Sequence, residues 1–535
     1  MKSKLLLGNE AVAQAAVDAG ISGVYAYPGT PSTEITEFIQ QNLEAIERDI
    51  HRDWSANEKT AYEEALGMSY AGRRVLVCMK QVGLNVAADA FINSAITGVN
   101  GGLVLAVADD PGMHSSQNEQ DSRYYGNFAM IPILEPSNQQ EAYDMCYEAF
   151  QLSEQTQLPV MLRLTTRLSH SRSAVVFQQS IHPNSLKLPG NLKQFLLLPV
   201  FARKSYAALL DKQEALKKLS DDSKYNKFQH GNDRSLGVVC CGLGGNYFNE
   251  VFAGREIPHP RVKIAQYPLP DKLLIELENT CDELLVVEEG YPFVEEQLRD
   301  FFGKGTKVRG KLDGALPRYG ELTTDQVGKA LKKEYESSFQ IPDSVVPRPP
   351  SFCRGCGHID AFDALQEVVQ SYGAGHIFSD IGCYALAALP PFQSIYSCVD
   401  MGASITMAKG AADAGLYPSI AFIGDSTFTH SGITGLLDAV NANSNMLIVI
   451  SDNESISMTG GQDPAGLGKI EAICEGVGVD PNHIRVFVPL NKNKEEMIRI
   501  YKEEIDFKGV SVVIARRECL QKASRRIRQE KSGHR

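Results

Sequence analysis

The sequence predicts an α/β protein made of three domains, each a doubly wound sheet with helices on both faces. Short apolar segments of strand length alternate with helical segments along most of the 535 residues, which is the pattern of parallel sheets. The length is sufficient for about three domains of ordinary size. With 43% hydrophobic and 22% charged residues, the composition is that of an ordinary globular protein.

The first predicted domain covers residues 1–175. Four apolar segments in it have the length and composition of buried strands, and helical segments separate them: residues 23–27, 74–79, 102–108 and 158–164. Residues 176–235 are poorer in such segments and contain a charged helix at about 207–219, followed by a polar stretch at 220–234. We interpret residues 176–235 as a connecting segment.

A second α/β domain is predicted over residues 236–335, with strands at its start, at 262–265 and at 283–288. Glycines at 242–245 follow its first strand and invite comparison with a dinucleotide-binding turn. The third glycine of that motif is missing, so an ordinary strand-to-helix turn is the preferred interpretation. The proline-rich residues 336–350 predict an extended linker.

The third domain is predicted over residues 351–520 and has the same alternation of strands and helices as the first. A basic segment follows at 521–535, for which a solvated tail is the favoured interpretation. Its cations are Lys522, Arg525, Arg526, Arg528, Lys531 and Arg535.

The formal net charge of −12 gives no electrostatic support to nucleic-acid binding. The apolar run near the start is too short for a signal peptide, and no run of about 18 apolar residues could span a membrane. We therefore expect a soluble, cytoplasmic protein. Eleven cysteines in 535 residues do not make a disulfide scaffold, and metal-binding or catalytic roles are expected for those that cluster.

Two apolar strands of the third domain end in residue types that bind hard metal ions. One strand runs into Asp425, and the next, at 446–451, runs into Asn453. The segment between them is long enough for one helix, so both side chains should emerge next to each other at the carboxyl edge of a parallel sheet. A carboxylate and an amide oxygen suit Mg²⁺, which takes further oxygens from phosphate groups.

The sequence GDS at 424–426, followed by an asparagine after one helix, is similar to the motif that binds thiamine diphosphate. In that arrangement the backbone carbonyl of Ser455 would be a third Mg²⁺ ligand, and a glycine would let the backbone approach a phosphate. For the tripeptide alone a helix cap is the simpler explanation, but the matched Asn453 favours the cofactor. The residues expected to contact the diphosphate or its metal are Gly424, Asp425, Ser426, Thr427, Asn453 and Ser455.

Thiamine diphosphate also needs a carboxylic acid at N1′ of its aminopyrimidine ring. The best candidate is Glu58, at the start of a helical segment whose small residues allow close packing. A buried glutamate there could exchange a proton with N1′. Glu63 and Glu64 are competitors on the same segment, and a solvent-facing glutamate is the simple alternative.

Residues 27–34 leave the first strand and start a helix, with Thr30 predicted as the N-cap and Pro31 as the first helical residue. Free N–H groups and hydroxyls there could hold an anion such as a substrate carboxylate, although a plain cap is an equal alternative. His114 and Arg123 are further candidates, because an arginine can bind a carboxylate through two hydrogen bonds.

Four cysteines of the third domain are candidate metal ligands: Cys353 and Cys356 in a CxxC pair, Cys383 after a predicted strand, and Cys519 after the last strand. Four thiolates could hold a [4Fe–4S] cluster. A zinc site that includes His358 is an alternative, and simple reduced thiols are another. Six cysteines lie in apolar or helical contexts and are expected in the core: Cys78, Cys146, Cys240, Cys241, Cys281 and Cys474.

These features together resemble the alpha subunits of indolepyruvate:ferredoxin oxidoreductases, within the 2-oxoacid:ferredoxin oxidoreductase family. The resemblance covers nearly the whole chain and is specific because many short segments carry it. The segments are residues 8–11, 27–34, 55–59, 79–89, 108–121, 267–270, 287–289, 400–405, 424–432, 452–453 and 458–462.

The resemblance implies two thiamine diphosphate-binding-like domains, at 1–175 and 351–520, with a transketolase-C-terminal-like domain between them. It implies oxidative decarboxylation of an aryl 2-oxoacid such as indolepyruvate to an acyl-CoA, with coenzyme A as co-substrate and ferredoxin as electron acceptor. A smaller beta subunit is the implied partner, in an α2β2 assembly. Glu58 would be the acid–base partner of the cofactor, and the four cysteines would hold an iron–sulfur cluster. Further cofactor contacts are expected at Gly382, Cys383 and Gly402.

Two features depart from the family. Its alpha subunits usually end in a ferredoxin-like module with two clusters, and no such run of cysteines follows Cys519, which leaves the electron exit route open. Residues 353–358 are CRGCGH where the family tends to have CPGCPH. A non-oxidative thiamine-dependent decarboxylase or carboligase is the alternative enzyme. A scaffold subunit without chemistry is the non-enzymatic alternative, and the combination of Glu58, Asp425 and Asn453 argues against it.

Overall fold

The computed structural model describes residues 3–191, 193–302, 305–333, 342–346 and 349–532. The chain forms two compact units, Met1–Ile341 and Pro342–Arg535. Most of the predicted linker at 336–350 lies outside the described residues. Within the described ranges, no helix is both long enough and apolar enough to cross a membrane.

The first unit contains a six-stranded, a five-stranded and a two-stranded sheet. Its strands in chain order are β1 Ser3–Leu7, β2 Gly23–Ala26, β3 Val75–Lys80, β4 Leu103–Asp109, β5 Ile133–Leu134, β6 Val160–Thr165, β7 Arg172–Val176, β8 Lys227–Gln229, β9 Gly237–Cys241, β10 Arg261–Ile264, β11 Gln266–Tyr267, β12 Glu283–Val287 and β13 Lys307–Arg309. Its helices are Gly8–Asp18, Thr33–Gln41, Leu43–Glu47, Glu58–Tyr70, Gln81–Thr97, Arg123–Phe128, Gln139–Thr156, Thr166–His170, Pro199–Asp211, Gln213–Asp221, Gly244–Phe252, Asp271–Thr280, Phe293–Phe302 and Thr324–Ala330.

The six-stranded sheet has the order β11-β5-β6-β4-β3-β2 and is parallel except at β11, which runs antiparallel to β5. Strands β2, β3, β4 and β6 correspond to the four apolar segments that the sequence predicts. Strands β3, β4 and β6 are buried at every position. Because helices cover both faces of such a sheet, its central strands contain apolar residues at successive positions, and this made them predictable.

The five-stranded sheet has the order β13-β12-β9-β10-β8, with β8 antiparallel to β10 at one edge and the other strands parallel. The glycines after β9 form a strand-to-helix turn, as preferred from the sequence, because the next helix begins at Gly244. Strands β5, β8, β11 and β13 contain only two or three residues. Segments this short carry too little periodicity to be predicted.

The predicted charged helix at 207–219 is two helices in the structure, Pro199–Asp211 and Gln213–Asp221, which meet at Lys212. The ammonium group of Lys212 donates to the Thr156 carbonyl at 2.8 Å, and this long-range contact is invisible in the local sequence. Part of the predicted polar stretch is the edge strand β8. The segment at 176–235 is therefore more ordered than the sequence indicates.

The second unit contains one five-stranded sheet of order β14-β15-β16-β18-β17, in which every strand pair is parallel. Its strands are β14 Ile377–Ser379, β15 Ile420–Gly424, β16 Met446–Asp452, β17 Ile484–Phe487 and β18 Val510–Arg516. Its helices, including short 3-10 and π turns, are Gly357–Val369, Cys383–Ala388, Ala403–Asp413, Asp425–Thr427, Phe428–Gly432, Ile433–Asn441, Ile470–Gly476, Pro481–His483, Asn491–Asn493, Lys494–Asp506 and Leu520–Ser532. The carboxyl ends of all five strands meet at one edge.

Residues 521–532 of the predicted basic tail belong to the helix Leu520–Ser532, and residues 533–535, which include Arg535, lie outside the described residues. Lys522 donates to the Glu454 carbonyl at 2.5 Å and to Asp463 Oδ1 at 2.6 Å. The guanidinium of Arg525 donates to the Gly460 carbonyl. The interpretation as a solvated tail is therefore wrong for the first two turns of this helix, because their cations hold the loop that follows β16.

Candidate active site

The side chains of Asp425 and Asn453 converge at the carboxyl edge of the second unit's sheet. Strands β15 and β16 are parallel neighbours, with Gly424 paired with Ser451. Asp425 Oδ2 lies 3.3 Å and Asn453 Oδ1 lies 3.1 Å from the same atom, the backbone nitrogen of Ser455. Both oxygens therefore lie within 3.3 Å of one common atom. This proximity is compatible with their binding a shared metal ion.

The electrostatics of Asp425 fit a divalent cation. Its side chain is buried, and this burial, together with the nearby Asp452 carboxylate, raises the pKa of Asp425 to about 7. In the described part of the chain, no basic side chain forms an ion pair with Asp425. A bound Mg²⁺ would supply the missing positive charge and restore the ionised form. The residues present therefore fit the predicted metal.

The glycines near this edge have a packing explanation. A Cβ atom added to Gly424 would lie 2.7 Å from the Tyr384 ring, and one added to Gly382 would also collide with it. The Thr427 hydroxyl donates to the Ile381 carbonyl at 3.1 Å and accepts from Tyr384 at 3.3 Å. Tyr384 therefore accounts for both glycines without a phosphate, and the hydrogen of Thr427 is already donated within the protein.

Asp380 is a buried carboxylate that the sequence analysis did not select. It follows β14, and its oxygens accept from the backbone N–H groups of Gly402 at 2.6 Å and Ser404 at 3.0 Å. Burial raises the pKa of Asp380 to about 6. Gly402 has a φ of 100°, which favours glycine. An aspartate directly after an apolar strand is the same signal that identified Asp425, and it could have been found in this way.

The four candidate cysteines line one cavity of ≈ 120 Å³, and Asn453 lines it as well. The backbone N–H of Cys519 donates to the Asn453 carbonyl at 2.9 Å. Cys353 is exposed, and Cys356, Cys383 and Cys519 are half-buried. The cysteine cavity and the predicted metal edge are therefore directly connected through the backbone.

The cysteine thiols influence one another electrostatically. Burial raises the pKa of Cys383 to about 11, and the other three cysteines add to the shift. Burial also raises the pKa of Cys356. Four thiolates lining one cavity would need a multiply charged cation to stay ionised, and an iron–sulfur cluster would supply that charge.

The zinc alternative finds no support in the residues that the structure describes. No three His, Cys, Asp or Glu side chains among them are close enough to hold a single ion. In a four-iron cluster each cysteine binds a different iron, so its ligands need not lie close enough to share a single ion. His358 Nδ1 lies 3.1 Å from Cys356 Sγ, and burial lowers the pKa of His358 to about 4.

The structure separates Glu58 from its competitors on the helix Glu58–Tyr70. Glu58 is 5% exposed, whereas Glu63 and Glu64 are exposed. A Cβ atom added to Gly83 would lie 2.6 Å from Glu58 Oε1, so the neighbouring helix packs directly on this carboxyl group. Burial favours Glu58 as the residue that faces a cofactor ring, and excludes the solvent-facing alternative.

Lys80 is a second residue that sequence reasoning missed, although it lies in segment 79–89, one of those that carry the family resemblance. It is 9% exposed, and its ammonium group donates to the Ser115 carbonyl at 2.8 Å. Burial lowers the pKa of Lys80 to about 8, while the carboxylates of Asp110 and Glu58 oppose the shift. Lys80 therefore supplies a positive charge within electrostatic range of Glu58.

The predicted cap at Thr30 is wrong. The helix begins at Thr33 and its N-cap is Ser32. The backbone N–H and the hydroxyl of Ser32 both donate to the Gly29 carbonyl, at 2.8 and 2.7 Å. This turn carries the chain past Thr30 and Pro31 before the helix starts, so local cap preferences placed the start too early.

His114 does not match the expected role in binding a substrate carboxylate. Its side chain is 54% exposed, and its Nε2 atom lies 3.2 Å from the Glu321 carboxylate. An acidic neighbour repels a second carboxylate. His114 is therefore a polar loop residue in this structure.

Arg123 is also wrong as a candidate for the substrate carboxylate. Its side chain is 0% exposed, and it forms ion pairs with Asp121 at 2.5 Å and Glu288 at 2.9 Å. A further carboxylate, Glu135, lies 3.6 Å away. Arg163 is equally buried in the same network. These contacts connect the six-stranded sheet to residues after β12, so the guanidinium holds two sheets together and is inaccessible to substrate.

We expect the substitution Arg123→Ala to destabilise the protein by about 3–5 kcal/mol, because it leaves buried carboxylates without their cation. The free energy of unfolding in urea measures this effect. His114→Ala is the matched control at the other rejected candidate and should change stability by no more than about 0.5 kcal/mol. Normal stability of Arg123→Ala together with a raised KM for the substrate would restore its role in binding.

Two family profiles match the chain. The profile described as "Pyruvate flavodoxin/ferredoxin oxidoreductase, thiamine diP-bdg" matches residues 14–193, which include Glu58. The profile described as "Thiamine pyrophosphate enzyme, C-terminal TPP binding domain" matches residues 380–515, which include Asp425 and Asn453. Each unit therefore contains one thiamine diphosphate-binding domain.

Relatives of similar length are also known. The indolepyruvate oxidoreductase subunit IorA of Archaeoglobus fulgidus is 38% identical over an alignment of 554 positions. The alignment covers 98% of this chain and 88% of that protein. The protein of the same name from Pyrococcus abyssi is 38% identical, over 96% of this chain and 85% of its own length.

Among solved structures, a 2-oxoglutarate:ferredoxin oxidoreductase from Magnetococcus marinus, determined with 2-oxoglutarate, coenzyme A and succinyl-CoA bound, aligns with a TM-score of 0.50 at 15% identity. The alignment covers 62% of this chain and 65% of that one. At this level of identity, the match supports the α/β fold that the sequence predicts.

Proposed function

Because this chain belongs to the 2-oxoacid:ferredoxin oxidoreductase family, as a thiamine diphosphate-dependent alpha subunit of the indolepyruvate type, we propose that it oxidatively decarboxylates aryl 2-oxoacids such as indolepyruvate. The choice of an aryl substrate is supported by the two relatives described above, because both are named indolepyruvate oxidoreductase subunits. Coenzyme A is the proposed acyl acceptor, and ferredoxin is the proposed electron acceptor.

One observation carries the oxidative assignment. The four cysteines and Asn453 line the same cavity, and Cys519 is hydrogen-bonded to Asn453 through the backbone. A decarboxylase that releases an aldehyde has no need of four thiols beside its cofactor edge. An oxidoreductase that passes single electrons to an iron–sulfur cluster needs them there. The arrangement therefore favours oxidation over the non-oxidative alternative.

In this proposal, Asp425 and Asn453 would hold Mg²⁺ through their side chains, and the Ser455 carbonyl would be the third protein ligand. Backbone N–H groups and Ser426 at the start of the next helix would contact the diphosphate. Thiamine diphosphate, when bound, supplies the electron sink for decarboxylation of a 2-oxoacid. Glu58 holds or releases a proton at N1′ of its pyrimidine ring.

The overall reaction balances with one-electron carriers. A 2-oxoacid anion, coenzyme A and two oxidised ferredoxins give an acyl-CoA, CO₂, two reduced ferredoxins and one proton. The carbon–carboxylate bond breaks, a carbon–sulfur bond forms, and two electrons leave through the cluster. We propose that a smaller beta subunit completes the enzyme in an α2β2 assembly.

The direct test is the oxidation of a panel of 2-oxoacids by the chain together with its beta subunit, with coenzyme A and ferredoxin present. Reduction of ferredoxin with indolepyruvate, phenylpyruvate or hydroxyphenylpyruvate, and weaker reduction with pyruvate, is the expected result. Release of an aldehyde with no reduced ferredoxin would establish the non-oxidative alternative instead.

We expect the substitution Cys356→Ser to remove the visible absorption of a [4Fe–4S] cluster from anaerobically purified protein and to lower its iron content. The reason is that each of four thiolates holds one iron of such a cluster. Cys398→Ser is the matched control, because Cys398 is an exposed cysteine of the same unit that does not line the cavity. Equal iron content in both variants would contradict the cluster.

A further inference from the structure

The helix Leu520–Ser532 starts at the edge of the cysteine cavity. The residue before it is Cys519, and Gln521 in its first turn donates to Cys353 Sγ at 3.6 Å. Cys353 is the exposed member of the four cysteines. This helix therefore begins where the cavity is most accessible from solvent and extends away from that point.

The side of this helix that faces Cys353 is positively charged. Residues four and seven positions after Gln521 lie on the same side of an α-helix, and they are Arg525 and Arg528. Both are exposed, as is Arg354, which follows Cys353 in the chain. In the described residues, none of these three arginines forms an ion pair with a carboxylate; Arg525 keeps its hydrogen bond to the Gly460 carbonyl, and its side chain is still exposed.

The acidic residues of the same region are neutralised on another side of the helix. Arg526 forms ion pairs with Glu518 at 3.0 Å and with Glu530 at 3.3 Å. Five positions separate Arg526 from Gln521, which turns it away from the Cys353 side. The separation leaves a patch of net positive charge on a chain whose formal net charge is −12. We call Arg354, Arg525 and Arg528 the basic patch.

We propose that the basic patch is the docking surface for an acidic one-electron carrier of the ferredoxin type, which takes electrons at the Cys353 edge of the cavity. This inference rests on the proposed function and locates its electron exit. Arg528 lies about 10 Å along the helix from Gln521. A carrier that contacts all three arginines therefore covers Cys353, the solvent-exposed cysteine.

Charge complementarity gives the patch a physical role. Attraction between a positive surface and an acidic carrier raises the association rate and orients the encounter. Each carrier cluster accepts one electron, so two carrier clusters are reduced for each acyl group formed. Fast, salt-sensitive association suits a partner that must leave after each transfer.

Binding of a strongly acidic, two-[4Fe–4S] bacterial-type ferredoxin to the cluster-loaded enzyme tests the proposal independently of turnover. At low salt, Arg528→Glu should raise the Kd by about tenfold or more. The difference should shrink at high salt, because exposed charges are then screened. Oxidation of 2-oxoacids by the variant should be unchanged when a small uncharged quinone is the electron acceptor. If the unmodified enzyme did not oxidise 2-oxoacids with this quinone, that result would count against the proposed function itself.

Lys508→Glu is the matched control. It introduces the same change of charge at an exposed lysine before β18, whereas Arg528 lies beyond the end of that strand. A salt-sensitive loss of ferredoxin binding in Arg528→Glu but not in Lys508→Glu supports the proposal. Equal effects of the two substitutions would overturn it. Unchanged ferredoxin binding with weakened association of the beta subunit would also overturn it and assign the patch to the subunit interface.

Discussion

The substitution Glu58→Gln is expected to lower turnover by about 10²–10⁴-fold, the range that positioned acid–base groups contribute. Glutamine keeps the shape of the side chain but cannot exchange a proton with N1′ of the cofactor. Glu58 is buried, and Gly83 of the neighbouring helix packs on its carboxyl group. Because the predicted metal ligands are untouched, binding of thiamine diphosphate with Mg²⁺ should remain within a few-fold of normal by calorimetry.

Glu63→Gln provides the matched control for this experiment. Glu63 lies on the same helix and is exposed, where it pairs with Lys59. The same chemical change there should leave turnover unchanged. Near-normal turnover in Glu58→Gln would remove Glu58 from the mechanism. Loss of cofactor binding together with turnover would instead show that Glu58 positions the ring without moving a proton.

The substitution Asp425→Asn is expected to weaken the binding of Mg²⁺ and thiamine diphosphate together. The loss should exceed the roughly 10- to 100-fold that removal of an outer-shell partner costs a metal site, because the charged ligand itself is lost. The amide keeps the size of the side chain, so the fold should be retained. Isothermal titration of the metal-free protein with Mg²⁺ and cofactor measures the change.

The stability of the metal-free protein gives a second measurement on Asp425. Its pKa is raised to about 7 in the folded chain from its ordinary value of 3.8, so ionisation destabilises the fold. This penalty is absent below about pH 4, grows as the pH rises towards 7, and is fully present above pH 7. Asp425→Asn should therefore unfold at a higher temperature than the unmodified apo protein at pH 8, and the difference should disappear at pH 4.

Asp438→Asn is the matched control for both measurements. Asp438 is exposed on the helix Ile433–Asn441. It should affect neither Mg²⁺ binding nor the pH dependence of stability. If Asp425→Asn bound Mg²⁺ and cofactor as tightly as Asp438→Asn does, the metal site would have to lie elsewhere.

The strands that position the site were predictable because they are long and buried on both faces. Strands β3, β4 and β16 appear in the sequence as uninterrupted apolar runs, a signal that needs no knowledge of distant residues. The edge strands β8 and β11 gave no such signal. Each has two or three residues, and pairing with a distant strand alone makes them strands.

The metal edge was predictable from the same local logic. A polar residue directly after an apolar strand must lie at the carboxyl edge of a parallel sheet, and two consecutive strands place two such residues next to each other. This argument located Asp425 and Asn453. It applied equally to Asp380, which caps the helix Ala403–Asp413 through Gly402 and Ser404.

The charged candidates of the first unit show where local reasoning ends. Glu58 and Arg123 both lie at the start of helices, and nothing nearby in the sequence distinguishes a group that faces a ligand from one that holds two sheets together. Arg123 meets its partner Glu288 across more than 160 positions of chain. The identity of such partners depends on how the sheets are assembled.

The sequence by itself determined the fold class, the strands that carry the metal edge and the family, because each follows from residue types at short spacing. The tertiary structure decided which charged side chains are buried with partners and which remain available. It also brought Cys519 to Asn453 and formed the basic C-terminal segment into a helix that starts at the edge of the cysteine cavity. The physical reason is that burial and charge pairing depend on neighbours supplied by distant parts of the chain, and no local pattern encodes them.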